Sequence, residues 1–137
     1  MITTLAQLIA QAESSNNAQA LRFEPNYSAN DANILAIKIL HKCNNSTAST
    51  LASMSWGLYQ IMGDNLAKMG LSVSLIDYLN SPDIQDDYFL RYCVLNGINY
   101  SLSEIQSDRQ KLLNFATRYN GPGSPETYAD YLLGFLK

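Results

Sequence analysis

Apolar residues recur at helical spacing in four stretches of the chain and alternate at period two nowhere for long. Leu5, Leu8, Ile9 and Ala12 fall on one helical face, and Thr4 followed by Gln7 reads as a capping box, so a first helix is predicted from about residue 5 to Glu13. Residues 14–30 are polar and turn-rich apart from "ALRFEP", where Pro25 restricts Glu24. Asp31 can cap a helix through "ANILAIKILHK", with His41 and Lys42 suited to its C-terminal end. "NNSTAST" reads as a loop, and a small irregular or hairpin element is expected near residues 44–56. Gly57 opens "GLYQIM", and Gly63-Asp64 restarts a short helix through "NLAKM". Ser81-Pro82 and Ser124-Pro125 are helix starts of one kind, a capping residue followed by proline. They predict helices through "DIQDDYFLRYCVLNGI" and "ETYADYLLGFL", with another in "SEIQSDRQKLLNFATRY" between them. The pattern predicts a mainly α fold with little or no β-structure, in one domain over residues 1–137.

Composition sharpens this in two ways. With 47% hydrophobic and 15% charged residues, a chain of 137 residues can bury a core. A net charge of −3 with no cluster of Lys and Arg speaks against nucleic acid as a partner. The apolar block "ILAIKIL" is interrupted by Lys38 and too short to span a bilayer, so no membrane insertion is expected. The first residues have neither a basic start nor a long apolar run, so no secretory signal is expected. Cys43, Cys93 and a single His make no metal site, and free thiols are favoured over a disulfide. No cofactor is called for, and a monomer is expected.

Three short motifs carry the candidate chemistry: "AESSNNAQA", "SWGLYQIMG" and "RYNGPG". At 100° per residue Glu13 lies about 40° beyond Ile9, at the edge of the apolar stripe. A carboxylate there is partly desolvated and holds its proton more tightly. Cleavage of a glycosidic bond needs such an acid near neutral pH. Gln60, Tyr119 and Asn120 can exchange hydrogen bonds with sugar hydroxyl and acetamido groups, and the motif glycines would let backbone approach a sugar.

In this order on a small helical chain, the motifs resemble the lysozyme-like superfamily, most closely soluble lytic transglycosylase domains and goose-type lysozymes, including phage wall-degrading enzymes. The family's E-S-x-x-N-P-x-A is matched by Glu13, Ser14, Asn17 and Ala20, with Ala18 for the proline. Its G-L-M-Q becomes Gly57-Leu58-Tyr59-Gln60, and its Y-N-G becomes Tyr119-Asn120-Gly121. The resemblance implies a lysozyme-like fold and cleavage of the β-1,4 bond between N-acetylmuramic acid and N-acetylglucosamine in peptidoglycan. It implies Glu13 as the acid, with Tyr59, Gln60, Tyr119 and Asn120 binding substrate. It also implies action in the bacterial cell envelope, and small size leans towards a phage product, virion-associated or released at lysis.

Each assignment has a plainer rival. Glu13 could be a solvated helix end, but the continuation after it and the two later motifs favour catalysis. Gln60 could be a buried amide bonding loop backbone. Trp56 reads as core. Glu24 reads first as half of an ion pair with Arg22 or Arg118, and otherwise as a support for Glu13 or a second carboxylate. Glu126 resembles an acid of the family's last helix but at the wrong spacing, and Asp64 and Asp77 read as a cap and a surface acid. Because no second acid stands in a clear motif position, a transglycosylase giving a 1,6-anhydromuramic product is expected ahead of a muramidase that uses water. A non-catalytic glycan-binding or virion-structural protein comes third.

Overall fold

The computed structural model describes residues 1–137. The chain forms nine helices and one three-stranded antiparallel sheet, whose β1 edge is exposed. The helices are α1 (Leu5–Ser14), α2 (Asp31–His41), α3 (Asn45–Ala52), α4 (Gly63–Lys68), α5 (Leu75–Leu79), α6 (Pro82–Leu95), α7 (Leu102–Ser107), α8 (Arg109–Asn120) and α9 (Pro125–Gly134). The strands are β1 (Leu21–Phe23), β2 (Met54–Trp56) and β3 (Ile61–Met62), in that order across the sheet, with Arg22 opposite Ser55 and Ser55 opposite Met62. The mainly α fold is as the pattern predicts. No helix is long and apolar enough to cross a membrane.

Leu8 and Ile9 of α1 are fully buried in one core with Leu112, Phe115 and Ala116 of α8 and Ala129 and Leu132 of α9. Each such large side chain contributes roughly 1.5–3 kcal/mol by leaving water. Tertiary burial therefore fixes this short helix, as helical propensity alone could not. A smaller cluster of Ile37, Ala48 and Ala52 joins α2 to α3.

Several local expectations are corrected. "NNSTAST" is not a loop: Asn44 caps α3 by accepting from the Thr47 N–H at 2.8 Å, and Ala48 and Ala52, four apart, are its buried face. Only β2 of the expected 44–56 element is strand, because α3 fills most of that window. α2 is capped by Asn30, not Asp31, which lies in its first turn. The helix expected through Ile98 ends at Leu95, because Gly97 turns left-handed at φ +65°. The helix expected across residues 103–119 is two: Asp108 is extended, ends α7, and caps α8 through its carboxylate, which accepts from the Gln110 and Lys111 N–H groups. The short α5 was not foreseen.

Candidate active site

The polar run after Glu13 is what a helix needs in order to stop there. Ser15 and Asn16 both turn left-handed, at φ +53° and +62°, a conformation more accessible to small polar residues than to branched ones. Their N–H groups donate back to the Ala10 carbonyl, and that of Ser15 to Gln11 as well, satisfying the end of α1. Asn17 then makes an Asx turn, accepting from the Gln19 N–H at 3.0 Å, and directs the chain into β1. The result is an acid on the last turn of a core helix, half-buried, with its carboxyl on a cleft.

α9 closes over that turn. The Tyr128 hydroxyl donates to Glu13 Oε1 at 2.9 Å, and the Tyr131 hydroxyl donates to the Ala12 carbonyl at 2.8 Å. Burial pushes the Glu13 carboxyl up from its ordinary pKa; the Tyr128 hydrogen bond and the charge of Arg22 pull it down, and burial prevails. Neither tyrosine stands in a motif. Their one signal is a spacing of three, which puts both on one face of the last helix.

The cleft holds about 1140 Å³. Glu13 lines it together with Arg22 and Glu24 from β1 and its exit, Tyr27, Gln60, Asn65, Tyr92 and Asn96. α8 contributes Asn114, Thr117, Arg118, Tyr119 and Asn120. Arg22 Nε donates to Glu24 Oε1 at 2.9 Å, so of the two expected partners Glu24 takes Arg22 and leaves Arg118 without a carboxylate. Of the residues expected to meet sugar, Gln60, Tyr119 and Asn120 line the cleft and Tyr59 does not. Tyr59 is buried against Phe89, ring centroids 4.4 Å apart, and its hydroxyl donates to Asp86.

Much of the motif chemistry is spent inside the protein. The Gln60 amide donates to the Gly57 carbonyl at 2.9 Å and to Ala20 at 3.2 Å, and its oxygen accepts from Ser55 at 2.7 Å. This is the loop-bonding amide of the plainer reading, on a half-buried residue that stands left-handed at φ +51° and still lines the cleft. The Tyr119 hydroxyl donates to the Tyr59 carbonyl at 2.6 Å, tying the third motif to the second. Trp56 is core, its Nε1 donating to the Leu51 carbonyl at 3.1 Å. Gly57, at φ +77°, is buried and does not line the cleft, and a Cβ there would collide with the side-chain amide of buried Gln85. Gly121, at φ +88°, is the motif glycine that is open on the cleft.

Two acids differ from their sequence reading. Asp64 is buried and not a simple cap: its carboxylate accepts from the Tyr27 hydroxyl at 2.8 Å, the Asn33 amide at 2.8 Å and the Asn30 N–H at 3.1 Å, pinning the cleft loop after β1 onto α4. Glu126 is exposed and lies outside the cleft; its helix reaches Glu13 through Tyr128 instead. Asp77 is exposed, as expected. Cys43 and Cys93 are free thiols, and no group of three His, Cys, Asp or Glu is clustered as metal ligands would be.

Comparison with known proteins bears on the family. Residues 35–136 match the family Muramidase, described as N-acetylmuramidase. That span takes in Gln60, Tyr119 and Asn120 and begins after Glu13 and Glu24. The chain is also 34% identical over 140 aligned residues to the endolysin of Enterobacteria phage PRD1, covering 95% of this chain and 92% of that protein. No solved structure matches it.

Proposed function

The chain belongs to the N-acetylmuramidase family and is a peptidoglycan-cleaving enzyme, and from that premise we propose that it hydrolyses the β-1,4 bond following N-acetylmuramic acid, with Glu13 as the proton donor. The observation that carries this reading is the half-buried Glu13 carboxyl on the cleft, held by Tyr128 and favoured in its protonated form. Glu13 would give its proton to the leaving glycosidic oxygen as the bond to C1 breaks. Water would then attack C1 and lose its proton to Glu24, the other acid on the cleft, whose Oε2 is left free by the Arg22 pair. Asn120 supplies an exposed amide to the sugar, while Gln60 and Tyr119 shape the wall it lies against. The likeness to a phage endolysin suggests release at host lysis as the setting.

A second reading keeps Glu13 and changes the nucleophile. One Glu24 oxygen is engaged by Arg22 and the side chain is 37% exposed, a weak setting for a dedicated base. The muramic C6 hydroxyl, already held beside C1, could attack instead and leave a 1,6-anhydro end. Digestion of purified sacculi in oxygen-18 water separates the two. Hydrolysis puts label on the muramic reducing ends and is slowed by Glu24→Gln. Unlabelled ends, lighter by one water, would replace it with the transglycosylase. Protein that sediments with sacculi and never releases fragments would sink both.

Tyr128 gives a graded check on Glu13. Its hydroxyl bond lowers the carboxyl pKa against the rise from burial, so Tyr128→Phe should raise that pKa further. An acid donor works below its pKa, so the alkaline limb of the pH–rate profile should move to higher pH. A limb that stays put or moves down would separate Tyr128, or Glu13 itself, from the proton transfer.

A further inference from the structure

The cleft carries one cation that the cleavage step does not use. Asn114, Thr117 and Arg118 of α8 line the cleft, at the i, i+3, i+4 spacing of one helical face, with Gly121 following just after the helix. The other lining arginine, Arg22, is neutralised by Glu24. Arg118 has no carboxylate partner: its one side-chain hydrogen bond is Nη1 donating to the Asn96 carbonyl at 3.2 Å. A guanidinium has five N–H donors, so most of the fork of this cleft-lining residue is without a protein partner. The backbone makes room for it. Gly97 stands left-handed at φ +65°, and a Cβ there would come within 2.7 Å of Arg118 Nη1.

The charge balance points the same way. The acidic and basic side chains lining the cleft are two glutamates and two arginines. With Arg22 paired to Glu24, Arg118 is the one cation lining the cleft without a carboxylate partner, on a chain whose net charge is −3. Locally positive charge on an acidic protein favours an anionic ligand, and a planar fork with free donors matches a carboxylate.

We propose that Arg118 is a specificity-determining residue that pairs with a carboxylate borne by the muramyl residues of the bound strand, so that the cleft selects carboxylate-bearing glycan over neutral glycan. This rests on the peptidoglycan-cleaving function above. The carboxylate has two chemical sources: the stem peptide, or the lactyl group of a muramic residue without a stem.

Three substrates test it: strands with their stems, strands stripped by an amidase that leaves free lactyl carboxylates, and strands whose carboxylates are capped as methylamides. Wild type should cleave the capped strands with about fivefold lower kcat/KM than the better carboxylate-bearing substrate, the size of one charge-assisted hydrogen bond in a partly exposed site. Arg118→Gln should remove that preference by raising KM with kcat unchanged, and Arg118→Lys should keep part of it. The carboxylate-bearing substrate on which Arg118→Gln acts identifies the source. Equal losses on capped and uncapped strands, a fall in kcat, or no preference in the wild type would overturn the proposal. A wild-type protein that cleaves none of the three would overturn the function beneath it instead.

Discussion

Glu13→Gln is expected to lower cleavage of sacculi by about a hundred- to ten-thousand-fold, the usual worth of a general acid, and to make the protein more stable at neutral pH. Both effects come from one fact. The carboxyl is half-buried at the end of a core helix, and burial raises its pKa above the unfolded value. The amide keeps the shape and can still accept from Tyr128, so the site should stay assembled. It has no proton to give to the glycosidic oxygen. The sign of the stability effect follows from linkage: with its pKa raised in the folded state, Glu13 binds its proton more tightly folded than unfolded. Below the unfolded carboxyl pKa both states are protonated, and wild type loses nothing to ionisation. As pH rises through the folded pKa, ionising a half-buried group destabilises the wild type but not the variant. The gain in melting temperature should therefore be absent in acid, grow through that window and level off above it. Turbidity clearing and thermal melts across pH read the two halves separately. Retained activity in Glu13→Gln together with loss in Glu24→Gln would mean that the wrong acid has been chosen.

Glu13 was legible because three signals coincide on it: the edge of an apolar stripe, a polar run able to turn left-handed, and two later motifs. The helix starts were legible for a related reason. Thr4 and Ser81 act on N–H groups within three residues, a local event that sequence records, whereas Ser124 makes no side-chain cap and α9 starts on Pro125 alone, and the Ser101 cap of α7 was not read. What stayed hidden depends on distant partners. The apolar stripe of α3 is short and mostly alanine, Ala48, Leu51 and Ala52, and it is held by contact with Ile37 of α2. The break at Asp108 is invisible to a periodicity that continues across it. Tyr128 reaches Glu13 across 115 positions, and nothing in either segment names the other. The motifs themselves misled in one respect. Gly57, Tyr59 and much of Gln60 resemble a sugar site, yet their side chains or conformations serve the turn that carries it. A motif shows that residues are constrained together; it does not separate contact with ligand from contact with one another.

That distinction can be measured at Gly57 and Gln85. Gln85 is fully buried, and its amide is a four-way junction. Its nitrogen donates to the carbonyls of Ala18 at 2.9 Å, Tyr78 at 3.0 Å and Leu79 at 3.3 Å, and its oxygen accepts from the Leu58 N–H at 2.7 Å. It thus joins the loop after Glu13, the end of α5 and the turn between β2 and β3. Gln85→Ala leaves that N–H without its partner in the core and takes a donor from each of those carbonyls, of which Tyr78 keeps the Ser81 N–H, at about 1–3 kcal/mol for an unsatisfied group, and opens a cavity besides. A loss of about 3–5 kcal/mol is expected, a large share of the roughly 5–15 kcal/mol that holds a domain together. Gly57→Ala should cost about 2–4 kcal/mol, from a left-handed residue given a Cβ and from the collision of that Cβ with the Gln85 amide. The collision is the informative part, because it needs both side chains. In Gly57→Ala/Gln85→Ala the obstructing amide is gone, and the new methyl enters the space it vacated. The double variant should then be about 1–2 kcal/mol more stable than the two single losses predict, while the left-handed strain remains. Urea midpoints of the four proteins give the coupling directly. Additive losses would mean that Gly57 is required by its backbone angle alone. A Gly57→Ala protein of wild-type stability that fails to bind sacculi would return this glycine to the sugar site.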